Sequence, residues 1–156
     1  MKRMKGLDSN QISDKSKKSI YAITYTSWNS EIVGTLLEET TKELLKNGVD
    51  KKNIHVQEVP GAFELPLASK KCALKENIDI VIALGAIIRG DTPHFDFISK
   101  ACIDGLMSVS LETKKPIICG VLTTDDESQA NKRADPDQMN KGSEFALTAM
   151  SMIDPD

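Results

Sequence analysis

The chain has 156 residues, 40% of them hydrophobic, enough to bury one core and too few for two. Its 20 basic and 23 acidic residues are interspersed and sum to −3, which excludes the clustered basic face that nucleic-acid binding requires. No stretch approaches the ~18 uninterrupted apolar residues of a membrane span, so a cytoplasmic protein with small-molecule partners is expected.

Residues 1–18 are rich in Lys and Ser but lack the apolar segment of a secretory signal. They read as a polar tail, either loose or an edge strand completed by a partner, and a single domain follows over 19–156. That domain opens with a strand over 19–26. Helical spacing over 30–47 sets Ile32, Val33, Leu36, Leu37, Leu44 and Leu45 to one side, and Gly48 ends it as a cap. A strand over 54–59 is punctuated by Pro60-Gly61, and helical spacing returns over 65–75. The run 78–88 is nearly all apolar, which predicts a strand covered on both faces. A helix over 95–111 and a strand over 116–123 come next. Two helices over 126–134 and 141–153, separated by Asp135-Pro136-Asp137, close the chain. This βαβαβαβαα order implies right-handed crossovers and a parallel sheet of about four strands with helices on both faces.

Cys72, Cys102 and Cys119 are odd in number, far apart and set in apolar runs. They form neither a disulfide framework nor a metal-ligand spacing, and read as buried, reduced thiols.

In such sheets ligands bind beyond the carboxyl ends of the strands, which directs attention to four loops. After the first strand come Trp28 and Asn29; after the second, Pro60 to Pro66 with Ala62, Phe63 and Glu64. Only 4% of the residues are aromatic, yet Trp28 and Phe63 both follow strands directly. Their rings either sandwich a planar heterocycle or lie as a lid over the core. After the third strand, Gly90-Asp91-Thr92-Pro93 places free backbone N–H groups at the start of a helix. That turn reads equally as a phosphate site or as an ordinary helix cap. His94 beside it is suited to proton transfer near neutrality, whereas His55, inside a strand pattern, has no such setting. After the fourth strand, Arg133 suits bidentate phosphate binding and Lys141 offers a point charge, although such groups more often face water.

Together these segments resemble the 6,7-dimethyl-8-ribityllumazine synthase family, also called the riboflavin synthase β-chain family, from about residue 19 to residue 152. The resemblance is carried by Trp28-Asn29, by Val59 to Pro66, and by Gly85 to Phe97 around Arg89-Gly90-Asp91-Thr92-Pro93-His94. Gly120 to Thr123 and Gln129-Ala130 through Arg133-Ala134 extend it in the same order. It implies a flavodoxin-like three-layer sandwich. The implied reaction condenses 5-amino-6-(D-ribitylamino)pyrimidine-2,4-dione with 3,4-dihydroxy-2-butanone 4-phosphate to the lumazine, phosphate and water, with no metal or organic cofactor.

By the same resemblance Trp28 stacks on the pyrimidine with Asn29 beside it, and Ala62, Phe63 and Glu64 hold the ribityl chain. Ala86, Ile87 and Ile88 line the ring edge. Asp91 and Thr92 bind phosphate, Asp91 through its backbone N–H; Arg133 and Lys141 complete the phosphate site, and His94 shuttles protons. The segments around Cys119, Arg133 and Lys141 come from a neighbouring subunit, so that a pentamer is the minimum assembly, a sixty-subunit shell a further one, and riboflavin synthase a candidate partner.

The chain departs from the family pattern at Cys119, usually phenylalanine, and at Trp28, more often phenylalanine. Lys132 stands where glutamate is common, and 135–139 replaces a glycine-rich stretch. The length of that loop matches shell-forming members, and its composition does not. The Cys119 departure keeps open a second reading, a flavin-binding or flavin-storing assembly without catalysis. A flavodoxin-like signalling or redox module is disfavoured, because the chain has neither a clustered acidic phosphoacceptor pocket nor a hydroxyl-rich loop after its first strand.

Overall fold

The computed structural model describes residues 12–153, and the first eleven residues of the expected tail lie outside that range. The β-branched runs form four parallel strands, β1 (Tyr21–Thr26), β2 (Ile54–Val59), β3 (Ile80–Ile88) and β4 (Ile117–Thr124), in the order β2-β1-β3-β4. The helices are α1 (Asp14–Lys18), α2 (Ser30–Lys46), α3 (Leu65–Ala73), α4 (His94–Thr113), α5 (Glu127–Ala134) and α6 (Lys141–Met152). Among the described residues no helix is long and apolar enough to cross a membrane.

Three layers follow from where the apolar stripes point. Ile32, Val33 and Leu36 of α2, Ala130 of α5 and Met150 of α6 pack on one face of the sheet. Leu65 and Ala68 of α3 meet Cys102 and Leu106 of α4 on the other. Leu36, Leu65, Leu84 and Leu106 are all essentially removed from water, about 2 kcal/mol of apolar burial apiece. β3 is buried from Ile80 to Ile87, as its unbroken apolar run requires. α6 approaches α2 closely at Gly142, where a Cβ would stand 2.7 Å from the Leu36 carbonyl oxygen. Thr40 Oγ1 of α2 donates to the Gly142 carbonyl at 2.9 Å, so the start of α6 is fixed to α2 by both sterics and a buried hydrogen bond.

Several boundaries differ from the periodicity for local reasons. The first strand begins at Tyr21, because Asp14–Lys18 form a short helix and the Ser19 hydroxyl donates to the Lys15 carbonyl. The third strand begins at Ile80, since Ile78 closes a turn onto Lys75. Gly48, at φ +98°, ends α2 as expected, with its N–H on Leu45 and that of Val49 on Leu44. Leu45 turns out to be exposed, because it lies 100° around the helix from the buried Leu44. β2 is an edge strand whose residues 55–58 are exposed, His55 and Val56 included. β4 is the other edge, and here the expectation of three buried thiols fails: Cys72 and Cys102 are buried, but Cys119 is exposed on an uncovered stretch of β4.

The register places a step in the sheet. Tyr25 pairs with Leu84, so β1 ends opposite Gly85, whereas Ala86, Ile87 and Ile88 run on paired only with β4. β1 is also flanked by β2 and β3, the strand order reversing at that point, so this is where a doubly wound sheet opens a crevice.

Candidate functional site

A cavity of about 420 Å³ lies on that step. It is lined by Trp28 and Asn29 from the loop after β1, by Ala62, Phe63 and Glu64 after β2, and by Ala86, Ile87 and Ile88 of β3. Thr92 and His94 close the side nearest α4. Ten of the expected site residues are therefore brought together by one chain.

Each is held by an identifiable local cause. The end of β1 leaves the Ala86 carbonyl without a strand partner on that side, and the Asn29 side-chain amide donates to it at 2.9 Å. Asn29 adopts the left-handed conformation, φ 58°, that asparagine tolerates. Trp28 rides on the second loop, with its N–H on the Pro60 carbonyl and that of Ser27 on Val59. Its ring then lies directly over Gly61: a Cβ at Gly61 would be 2.5 Å from the indole Cζ3. A side chain at Gly61 would displace the indole from that seat. Residues 62–64 form a single 3-10 turn, which Glu64 closes by accepting the Gly61 N–H at 3.0 Å. Trp28 and Phe63 are 67% and 63% exposed, which identifies them as the open walls of the cavity and removes the reading of a lid over the core.

Because Trp28 is the only tryptophan, its emission reports this site alone. Gly61→Ala is expected to shift that emission, by displacing the ring, and to weaken binding of a planar heterocycle by about tenfold, equivalent to one stacking contact. Unchanged emission and affinity in a titration would show that the ring is not seated on Gly61.

Beyond β3 the chain turns sharply into α4. The Arg89 N–H donates to the Thr124 carbonyl at 2.9 Å. Among the described residues nothing accepts from the N–H groups of Gly90, Asp91 and Thr92, which stand before a helix of 20 residues. Free donors and the positive end of a helix dipole together suit an anion. The alternative of a side-chain cap is poorly met: the Thr92 hydroxyl accepts from His94 N–H only at 3.4 Å, and the helix has no capping side chain. Asp91 is exposed and does not line the cavity.

Cys119, Lys141 and Arg133 lie elsewhere. Cys119 pairs with Ala83, three residues and roughly 10 Å along the strand before Ala86. With Lys141, Met107 and Phe145 it borders a separate hollow of about 510 Å³ against the β4 edge, which shares no lining residue with the first. Lys141 Nζ is paired with Glu144 at 2.7 Å, both side chains largely covered. Arg133 belongs to α5 and donates from Nη1 to the Gln129 carbonyl at 3.0 Å. Burial, with Cys119 nearby, pushes the Cys102 thiol up to about 12, and burial also raises Cys72, so both remain protonated.

Thr26, Phe95 and Ile98 also line the cavity and were not anticipated, and Gly90 of the expected phosphate turn borders it as well. Phe95 and Ile98 belong to the apolar face of α4 and are only partly buried. The stripe Phe95, Ile98, Cys102, Leu106 continues without a break from the hydrophobic interior into the site.

Residues 19–155 match the profile of a family described as 6,7-dimethyl-8-ribityllumazine synthase. A protein of that name from Cytophaga hutchinsonii is 46% identical over 134 residues, covering 86% of this chain and 84% of its own. Another from Protochlamydia amoebophila is 44% identical over 137 residues, covering 88% and 80%.

Proposed function

The chain belongs to the 6,7-dimethyl-8-ribityllumazine synthase family, and from that premise we propose how its residues carry out the condensation. The enzyme joins 5-amino-6-(D-ribitylamino)pyrimidine-2,4-dione to 3,4-dihydroxy-2-butanone 4-phosphate, a step of riboflavin biosynthesis, with release of phosphate and water. The observation that carries the assignment of roles is the juxtaposition, on one step of the sheet, of an open aromatic wall, unpaired backbone donors and His94.

The pyrimidine stacks on Trp28, its edge along Ala86, Ile87 and Ile88, while its ribityl chain follows Ala62, Phe63 and Glu64 toward Asn29. One Glu64 oxygen is bound to Gly61, and the other is left for ribityl hydroxyls. The phosphate of the second substrate sits on the N–H groups of Gly90, Asp91 and Thr92. The carbonyl then faces the 5-amino group, and holding the two in contact is the larger part of the catalysis. The amine adds to the carbonyl and loses water to give the imine, phosphate leaves, and the second amine closes the ring with a further loss of water. His94 gives and takes the protons that these additions and eliminations require.

Arg133, Lys141 and Cys119 join the site from a neighbouring subunit. Their separation from the cavity within one chain supports a head-to-tail ring, in which one face of each subunit completes the next. A pentamer is the proposed ring, and a sixty-subunit shell its further assembly. In the cytoplasm, where the enzyme is expected to act, riboflavin synthase would consume the product and is a candidate partner. The alternative of a non-catalytic flavin-storage assembly is not favoured, given the names of the relatives.

The test is to mix protein with both substrates and follow lumazine fluorescence together with phosphate release. Equal amounts of both products, formed above the background rate, are expected. A folded, assembled protein that accelerates neither would sink the assignment.

A further inference from the structure

Arg89 stands one residue beyond β3, beside the phosphate turn, where an arginine invites the role of direct phosphate ligand. Its own contacts argue against that. Nε donates to Asp125 Oδ1 at 3.1 Å and Nη1 to Asp96 Oδ1 at 3.3 Å. The guanidinium also lies over the Phe95 ring, 4.4 Å from its centroid. One positive charge facing two carboxylates presents a net negative cluster to an approaching anion.

Nor is stability an adequate account. The three charged side chains are 43%, 59% and 68% exposed, and ion pairs that open to water contribute little to the global fold. What the contacts share is their location. Phe95 and Asp96 form the first turn of α4 next to His94, and Asp125 follows β4. The Arg89 N–H is meanwhile fixed to Thr124 on the same strand. Main chain and side chain of one residue thus fasten the start of α4 to the end of β4, across the segment that carries the unpaired N–H groups.

We infer that Arg89, held by Asp125, is a positioning residue: its planar fork keeps the Gly90–His94 turn at a fixed separation from the end of β4, with the three N–H groups directed at phosphate. The inference rests on the assignment of that turn to the phosphate of the four-carbon substrate. It goes further in naming what holds the turn in place and in denying Arg89 a direct contact with the substrate.

The experiment compares Arg89→Lys, Asp125→Asn and the double variant in the full-length, assembled protein. Lysine keeps the charge but loses the fork and the stacking. Each single variant should raise the KM for the butanone phosphate, and weaken calorimetric binding of inorganic phosphate, by about tenfold, with the pyrimidine KM within about twofold. The double variant should be no worse than the worse single one, since both changes break the same unit. Loss of kcat with both KM values unchanged, in step with loss of circular dichroism and particle mass, would reduce Arg89 to a structural role. Additive losses would overturn the clamp, and so would normal phosphate binding by Asp125→Asn beside a defective Arg89→Lys, which marks direct ligation. A wild-type protein without synthase activity would defeat the functional assignment, while the calorimetry with inorganic phosphate still judges the clamp.

Discussion

His94→Ala is expected to lower kcat by about a hundredfold with both KM values within about threefold, the pattern of a group that acts on protons in flight. His94 is exposed, opens α4 and borders the cavity beside Thr92. It has no structural duty that alanine would abandon: no side-chain hydrogen bond or ion pair of its imidazole is present among the described residues. The fold should survive the change, so that lost rate reports chemistry. The effect lies at the modest end for acid–base catalysis because neither substrate needs a strong nucleophile to be made; two amines are already present, and positioning supplies the rest. Single-turnover lumazine fluorescence on the assembled variant is the measurement, and a rate equal to wild type would remove His94 from the mechanism.

A second expected result concerns the division of the site between subunits. Arg133→Ala should lose about a hundredfold in kcat/KM for the butanone phosphate, the loss of a charge-assisted, bidentate contact. Made separately, the His94→Ala and Arg133→Ala proteins should both be nearly inactive. Co-expressed in equal amounts, they should recover roughly a quarter of the wild-type sites, the share expected from the proposed ring in which each site takes His94 from one subunit and Arg133 from its neighbour. If both residues served the same subunit's site, every site in a mixed ring would lack one of them and nothing would be recovered. The structure motivates the first arithmetic: Cys119 and Lys141 share a hollow distinct from the cavity, and Arg133 lies on α5 outside its lining.

The same geometry bears on the three single-residue departures from the family pattern. Cys119 is exposed at the edge facing the proposed neighbour, so a smaller side chain there costs nothing in the subunit's own core. Trp28 has a wide indole seated on a glycine, and offers the heterocycle more stacking area than phenylalanine would. Lys132 is exposed, and its presence in place of glutamate has no explanation in a single subunit.

Much of this was readable along the chain. The unbroken apolar run ending at Ile88 demanded a strand covered on both faces, the 3.6-residue stripes demanded helices against it, and Gly48 and Pro93 marked ends where they occur. Those are properties of neighbours in sequence, and the strand-end loops that hold Trp28, Phe63 and His94 follow from them. Contacts between distant residues followed no such pattern. The exposure of Cys119 depends on β4 being an edge, and the cavity on β1 stopping opposite Gly85 while β3 runs three residues further. The role of Gly61 depends on which ring lies over it, and that of Arg89 on Asp125, 36 residues away. Periodicity reports which face of an element is apolar; strand order and register decide what that face meets, because they are set by packing among all the elements at once.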